Sequence, residues 1–272
     1  MKSLLSLLIT SLLTFLSFET AAQQATTPAS ANSTQATALL SQSAAALTGG
    51  VAVTDVTLSG TARRIVGSDD ESGTAVLKAL ATGESRMDLS FPSGPRGEVR
   101  ANSASGPAGT WSGPDGVSHA LAYHNLLTGP AWFFPEFAIA RLISSQNSVL
   151  SYTGQETRNG QSVLHVTASQ QISNASGQTA ALLQHLTQLD IFFDPSTYLP
   201  VAFDLNTHPD NDAGLDIPIE IRFSDYRPVS GAQVPFHVQK FLNNGLVLDL
   251  QFQSAVFNSG LSPAAFTVGA GL

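Results

Sequence analysis

The sequence predicts a mainly β fold of the α+β class, with about 10–11 antiparallel strands and two or three helices. Three observations predict it. Ile217, Ile219, Ile221 and Phe223 alternate with Glu220, Arg222 and Ser224, and Leu246, Leu248, Leu250 and Phe252 alternate with Asp249, Gln251 and Gln253; an apolar side chain at every second position puts one strand face in a core and the other in water. Turn signals such as Asn159-Gly160 and Asn243-Asn244-Gly245 separate the apolar runs at hairpin spacing. Only a few stretches abandon that rhythm for helical spacing. So many strands do not rest as one flat layer, because such a sheet curls, splits or closes.

At the amino terminus, Lys2 is followed by apolar residues 4–18, broken only by Ser and Thr, and then by Thr20-Ala21-Ala22. This is the pattern of a secretory signal peptide over 1–22, cleaved after Ala22. The apolar run is shorter than the roughly 20 residues that carry a helix across a bilayer. Residues 23–33 are uncharged and rich in Ala, Ser and Thr, as in a disordered leader, and residues 34–272 form one domain. A helix follows the leader: Ser33 or Thr34 can cap it, Ala36, Leu39, Leu40, Ser43 and Leu47 recur at helical spacing, and Gly49-Gly50 stops it. Val51 with Val53, Val56 with Leu58, and residues 74–80, 86–91 and 98–102 read as strands. Residues 67–73, with Asp69, Asp70 and Glu71, read as an exposed turn, and 102–116 as a long Ser- and Gly-rich loop.

Residues 131–144 predict a second helix, with Pro135 at its first position, Glu136 in its first turn, Arg141 near its end and Phe137, Ala138, Leu142 and Ile143 as apolar contacts. Residues 149–156 and 161–170 form a hairpin around Asn159-Gly160. Residues 178–188 read as helical or irregular, with Leu182, Leu183 and Leu186 on the apolar side. A closing meander turns at 194–197, 208–216, 227–233 and 243–245.

Composition excludes several function classes. The 272 residues contain no cysteine, which removes disulfides, thiol nucleophiles, thiolate metal sites and the lipid-attachment residue of a bacterial lipoprotein; a soluble exported protein stabilised by its core is expected. A net charge of −8 argues against nucleic acid, which requires clustered Lys and Arg. Charged residues are 12% of the chain, against about 25% in an average domain, which suits a protein that handles apolar material and equally an ordinary bacterial secreted protein. The six histidines show no ligand motif: His119 and His124 are five apart, and His165, His185, His208 and His237 are scattered. Asp210, Asp212 and Asp216 could approach a calcium ion, but the loop lacks the EF-hand glycine and terminal glutamate and reads as a solvated acidic turn. No Gly-x-Ser-x-Gly elbow is present. Neither a metal nor a cofactor is expected, and a secreted hydrolase ranks third among the readings.

Particular phrases carry a resemblance. Leu58-Ser59-Gly60, Leu77-Lys78-Ala79, Arg86-Met87-Asp88-Leu89 and Trp111 with Pro114-Asp115-Gly116 occupy the first half. Ile191-Phe192-Phe193-Asp194-Pro195, Leu199-Pro200-Val201, Ser224-Asp225-Tyr226-Arg227-Pro228-Val229 with Gly231 and Val234-Pro235-Phe236, and Pro263-Ala264-Ala265-Phe266 occupy the second. Together they resemble the periplasmic lipoprotein-carrier (LolA-like) superfamily over nearly all of residues 34–272. The resemblance implies a strongly curved, unclosed antiparallel half-barrel with helices plugging its concave apolar side. It implies a monomer, periplasmic or secreted, that binds lipid or lipoprotein acyl chains and performs no chemistry. The carrier also locks its lid with an arginine near the end of an early strand, where this chain reads Lys78-Ala79-Leu80. The superfamily includes envelope sensors, so a protein-interaction module that meets envelope proteins through loops such as 68–72 is the alternative.

On this reading, Trp132, Phe133, Phe134 and Phe137 form a lid over the concave face. Ile219, Ile221 and Phe223 on one strand, Phe236 and Val238 on the next, and Leu248, Leu250 and Phe252 on the last form the ligand-binding wall. The same side chains would equally serve a closed core, since buried aromatics are common in any domain.

Overall fold

The computed structural model describes residues 28–103, 106–129, 131–171 and 175–268, with side chains from residue 33 onward. The expected signal peptide and residues 23–27 of the leader lie outside the described residues.

Strands β1 (Asp55–Val66), β2 (Asp69–Leu80), β3 (Ser85–Phe91), β4 (Gly94–Ser103), β5 (Gly106–Ser112) and β6 (Ser118–Ala120) run as a meander to one edge of a single sheet. Strands β7 (Ser148–Arg158), β8 (Gln161–Gln170), β9 (Leu189–Phe193), β10 (Pro200–Thr207), β11 (Ile217–Val229), β12 (Ala232–Leu242) and β13 (Gly245–Phe257) return from the other edge, and β13 pairs with β1. Among the described residues every pairing is antiparallel, and β6 and β7 remain as edges, so the sheet of 13 strands curves without closing. Helices α1 (Pro28–Thr48), α2 (Pro135–Ser144) and α3 (Gly177–Leu186) complete the fold. Among the described residues no helix is long and apolar enough to cross a membrane.

The strand count exceeds the expected 10–11 partly because the stretch read as a loop at 102–116 contains β5. Glycine hides this strand from a hydrophobic pattern for a packing reason: a Cβ on Gly109 would lie 2.7 Å from a methyl of Leu126 and 2.8 Å from one of Leu121. Close approach of another segment selects the missing side chain. The turn expected at 67–73 shrinks to Gly67-Ser68, and Asp69–Gly73 extend β2, where Asp70 and Glu71 pair with Arg63 and Arg64 of β1. The turn at 227–233 likewise tightens to Ser230-Gly231, with Val229 opposite Ala232. Val51 and Val53 precede the sheet as non-strand chain.

Helix α1 starts at Pro28, ahead of the expected Ser33 or Thr34 cap, so residues 28–33 assigned to the leader are helical backbone. Pro28 suits a first helical position and Ala29 and Ala31 favour propagation. Its buried Ala36, Leu39, Leu40 and Leu47 join the main core, and it packs on β7, β12 and α2. Ile143 of α2 is exposed and Ile139 takes the buried place; Leu182 of α3 is exposed as well.

Candidate functional site

After β6 the chain must travel from one sheet edge to the other, and residues 121–129 and 131–147 belong to that crossover, with Trp132, Phe133 and Phe134 in the main core. Alternation and register place the residues beneath it. Ile221 faces Lys240 across β11 and β12, Lys240 faces Leu248 on β13, Leu248 faces Arg64 on β1, and Arg64 faces Glu71 on β2. A second row runs Leu77, Met87, Glu98, Trp111 across β2 to β5. Since partners in register share a face, these charged residues point to the same side as the core.

Between this face and the crossover lies an open cavity of about 410 Å³, within the range of small-molecule sites. Its apolar wall includes Met87, Leu89, Ile219, Ile221 and Leu248, and Trp132 overhangs it. A smaller hollow of about 60 Å³ reaches towards Ala138 and Leu142 of α2, and shares Thr128, Trp132, Leu205 and Ile221 with the larger one. Trp132 therefore borders both. It follows Ala131, which holds φ at 48°, a left-handed conformation unfavourable for a residue with a Cβ.

Of the expected binding residues, Trp132, Ile219, Ile221 and Leu248 line this cavity. Phe133, Phe134, Phe137, Phe223, Val238 and Leu250 are buried in the continuous core and do not line it. Phe134 packs edge-on against Phe137 at 4.8 Å, and Phe223 against Phe203 at 4.9 Å. Phe236 and Phe252 are also core, with Arg227 stacked over the Phe236 ring. The division follows the helices: α1 packs on β12 and α2 on α1, so their end of the concave face is filled.

Polar groups in the wall escaped the sequence reading. Arg100 on β4 ion-pairs with Glu98 at 2.7 Å and donates from Nη1 to the carbonyls of Asn125 (3.0 Å) and Thr128 (2.9 Å), tying the crossover to the sheet. Burial would raise the Glu98 carboxyl, but Arg100 and then Lys240 hold it below its usual range. Desolvation lowers Lys240, with attraction to Glu98 opposing. Its Nζ sits 5.0 Å over the Trp132 ring. Glu71 receives Arg64 at 3.3 Å and Arg96 at 3.8 Å, and accepts from the backbone N–H and hydroxyl of Ser93. The missed signal was parity itself: Lys240 continues the alternation of Phe236 and Val238, and Arg64 that of Leu58, Gly60 and Ala62.

A different array lies on the convex face. Ser224 Oγ and His237 Nδ1 are 3.1 Å apart, and His237 Nε2 is 2.9 Å from Asp249 Oδ1. These are the groups of a nucleophile, base and orienting acid. Ser224 and His237 are direct partners on adjacent strands, and Asp249 lies diagonally on the third. Polar residues facing outward on three paired strands meet in this way through cross-strand pairing alone. Nearby, Arg158 bridges Asp204 and Glu220 and covers Phe192 at 4.1 Å, another outward-facing polar row. In the acidic loop, Asp212 accepts from the Gly214 N–H, whereas Asp216 contacts His185 at 2.8 Å and His208 at 3.4 Å. His119 stacks on Trp111. Among the described residues no cluster of three or more His, Asp or Glu side chains has the geometry to hold a metal ion.

The chain is thus an unclosed antiparallel half-barrel with a cavity beneath its crossover. In comparison with solved structures, this fold is the LolA-like one. The chain is similar to a domain from Vibrio parahaemolyticus described as an outer membrane lipoprotein-sorting protein, at 14% identity and a TM-score of 0.54, covering 87% of this chain and 97% of that one. It is also similar to a DUF1329 family protein from Desulfovibrio piger, at 9% identity and TM-score 0.56, with 87% and 97% covered. A LolA superfamily protein from Nitrosomonas europaea aligns at 12% identity and TM-score 0.52, with 85% and 97% covered. No family model matches the chain, and no curated protein matches it.

Proposed function

We propose that the protein is a non-enzymatic binder or carrier of lipid or acylated protein, working as an exported monomer in the periplasm. The observation that carries this reading is the open cavity on the concave face, walled by Met87, Leu89, Ile219, Ile221 and Leu248 beneath Trp132. Apolar space of this kind favours alkyl chains, each CH2 removed from water contributing about 0.8 kcal/mol. The likeness to a lipoprotein-sorting domain and to a LolA superfamily protein agrees with it.

The test is to purify the protein from its host and examine it by native mass spectrometry, then titrate the delipidated protein with the apolar dye N-phenyl-1-naphthylamine. Retained lipid and saturable dye fluorescence, weakened by Ile221→Asp, are expected. Absence of both lipid and dye binding would overturn the proposal.

A further inference from the structure

The wall of the cavity is basic in an acidic protein. Arg64, Arg96, Arg100 and Lys240 line it, against the single carboxylate of Glu98, although the chain carries a net charge of −8. Even with Glu71, which pairs with Arg64 and Arg96 from beside the cavity, cations outnumber carboxylates by four to two. Arg100 is engaged at Nε and Nη1 by Glu98 and the crossover carbonyls. Arg64 and Arg96 share Glu71 at the longer distances of 3.3 and 3.8 Å. Among the described residues Lys240 forms no hydrogen bond or ion pair; it meets the attraction of Glu98, the repulsion of Arg100 and the face of Trp132. The Nε of Arg96 is buried without an acceptor. Donors left unmet beside an apolar wall carry a desolvation cost, which an anion in the cavity would relieve.

Position gives the ligand its orientation. Lys240 and Arg64 occupy one row across the strands with Leu248 between them, so their backbones stand about 10 Å apart. Leu89 and Arg96 face one another on β3 and β4. An acidic headgroup among Lys240, Arg64 and Arg96 would leave its alkyl chain against Leu248, Ile221 and Trp132, the last two of which also line the small hollow.

Resting on the lipid-binding reading, we infer that the ligand is an anionic amphiphile, a phosphate or carboxylate on an alkyl chain, whose headgroup is seated by Lys240 with Arg96 and Arg64. Dodecyl phosphate, dodecanoate and dodecanol, each kept below its aggregation concentration, are to be compared as displacers of N-phenyl-1-naphthylamine. The two anions should displace it at concentrations at least tenfold below that needed for dodecanol. Lys240→Gln should narrow this gap about tenfold, and Arg96→Gln, which spares the Trp132 contact, should narrow it independently if the first variant fails to fold. Equal potency of all three amphiphiles overturns the inference and leaves the lipid reading standing. Inorganic phosphate displacing dodecyl phosphate at matched concentration also overturns it, since the site would then seat a free anion. Failure of the dye and of every amphiphile to bind removes the lipid reading and this inference together.

Discussion

Arg100 donates a hydrogen bond of 2.9 Å to the carbonyl of Thr128, reaching from strand β4 to the segment that roofs the cavity. The same Nη1 holds Asn125, and Nε holds Glu98. Asn125 in turn accepts from the N–H of His208 and donates to its carbonyl. One guanidinium thus links the sheet, the crossover and the 208–216 loop. Hydrogen bonds to a charged group contribute about 1.5–3 kcal/mol each. Arg100→Met should therefore destabilise the protein by about 2–4 kcal/mol in urea unfolding and raise amide exchange in residues 123–129. Unchanged exchange there would show that the arginine does not restrain the crossover.

Trp132 lines both hollows and is 5% exposed. Trp132→Ala should join them at a stability cost of about 3–5 kcal/mol, as for other large-to-small changes in a core. The joined space should shift the preferred alkyl chain to a greater length. The check is a dye-displacement series over chain lengths on both proteins; an unchanged optimum with retained binding would place the chain elsewhere.

Glu136 stands in the first turn of α2, buried, with Oε2 unpartnered, and burial pushes its carboxyl up to about 7 from 4.5. A raised acid binds more protons folded than unfolded between these values, so stability is highest below pH 4.5 and is lost as pH rises to 7. At about 1.4 kcal/mol per unit the loss approaches 3 kcal/mol. Glu136→Gln should match the native protein near pH 4 and exceed it by up to about 3 kcal/mol at pH 8. Urea midpoints at the two pH values measure this, and a parallel pH dependence in both proteins would sink it.

The meander from Leu189 to Phe257 was legible because its apolar residues obey a period of two and its turns carry Asn and Gly. The wall residues Ile219, Ile221 and Leu248 followed from that same rule. Strand β5 was not legible, since Gly109 is selected by contact with Leu121 and Leu126, which no local pattern records. Nor could alternation tell filled wall from open wall: Phe223 and Ile221 share a face and the same core, but only Ile221 also borders the cavity. The arginine sought near Lys78 illustrates the remaining gap. Lys78 alternates with buried Leu77 and Ala79 and so faces outward, while Arg100, two strands away in sequence, reaches the crossover through a register the sequence does not display.

The Ser224–His237–Asp249 row makes a sharp demand on the non-enzymatic reading. Its distances suit proton transfer, yet acyl transfer also needs donors aimed at the developing oxyanion and a site that excludes water. Ser224 is exposed on the outward face of paired strands, and His237 and Asp249 are held by Ser224 and Gln239 as a cross-strand ladder. Ladder pairs of this kind contribute about 0.2–1 kcal/mol. Ser224→Ala should cost no more than that in urea unfolding, and the native protein should hydrolyse p-nitrophenyl acetate no faster than the variant. Ester turnover that disappears in both Ser224→Ala and His237→Gln would make the convex row a catalytic site and end the non-enzymatic reading.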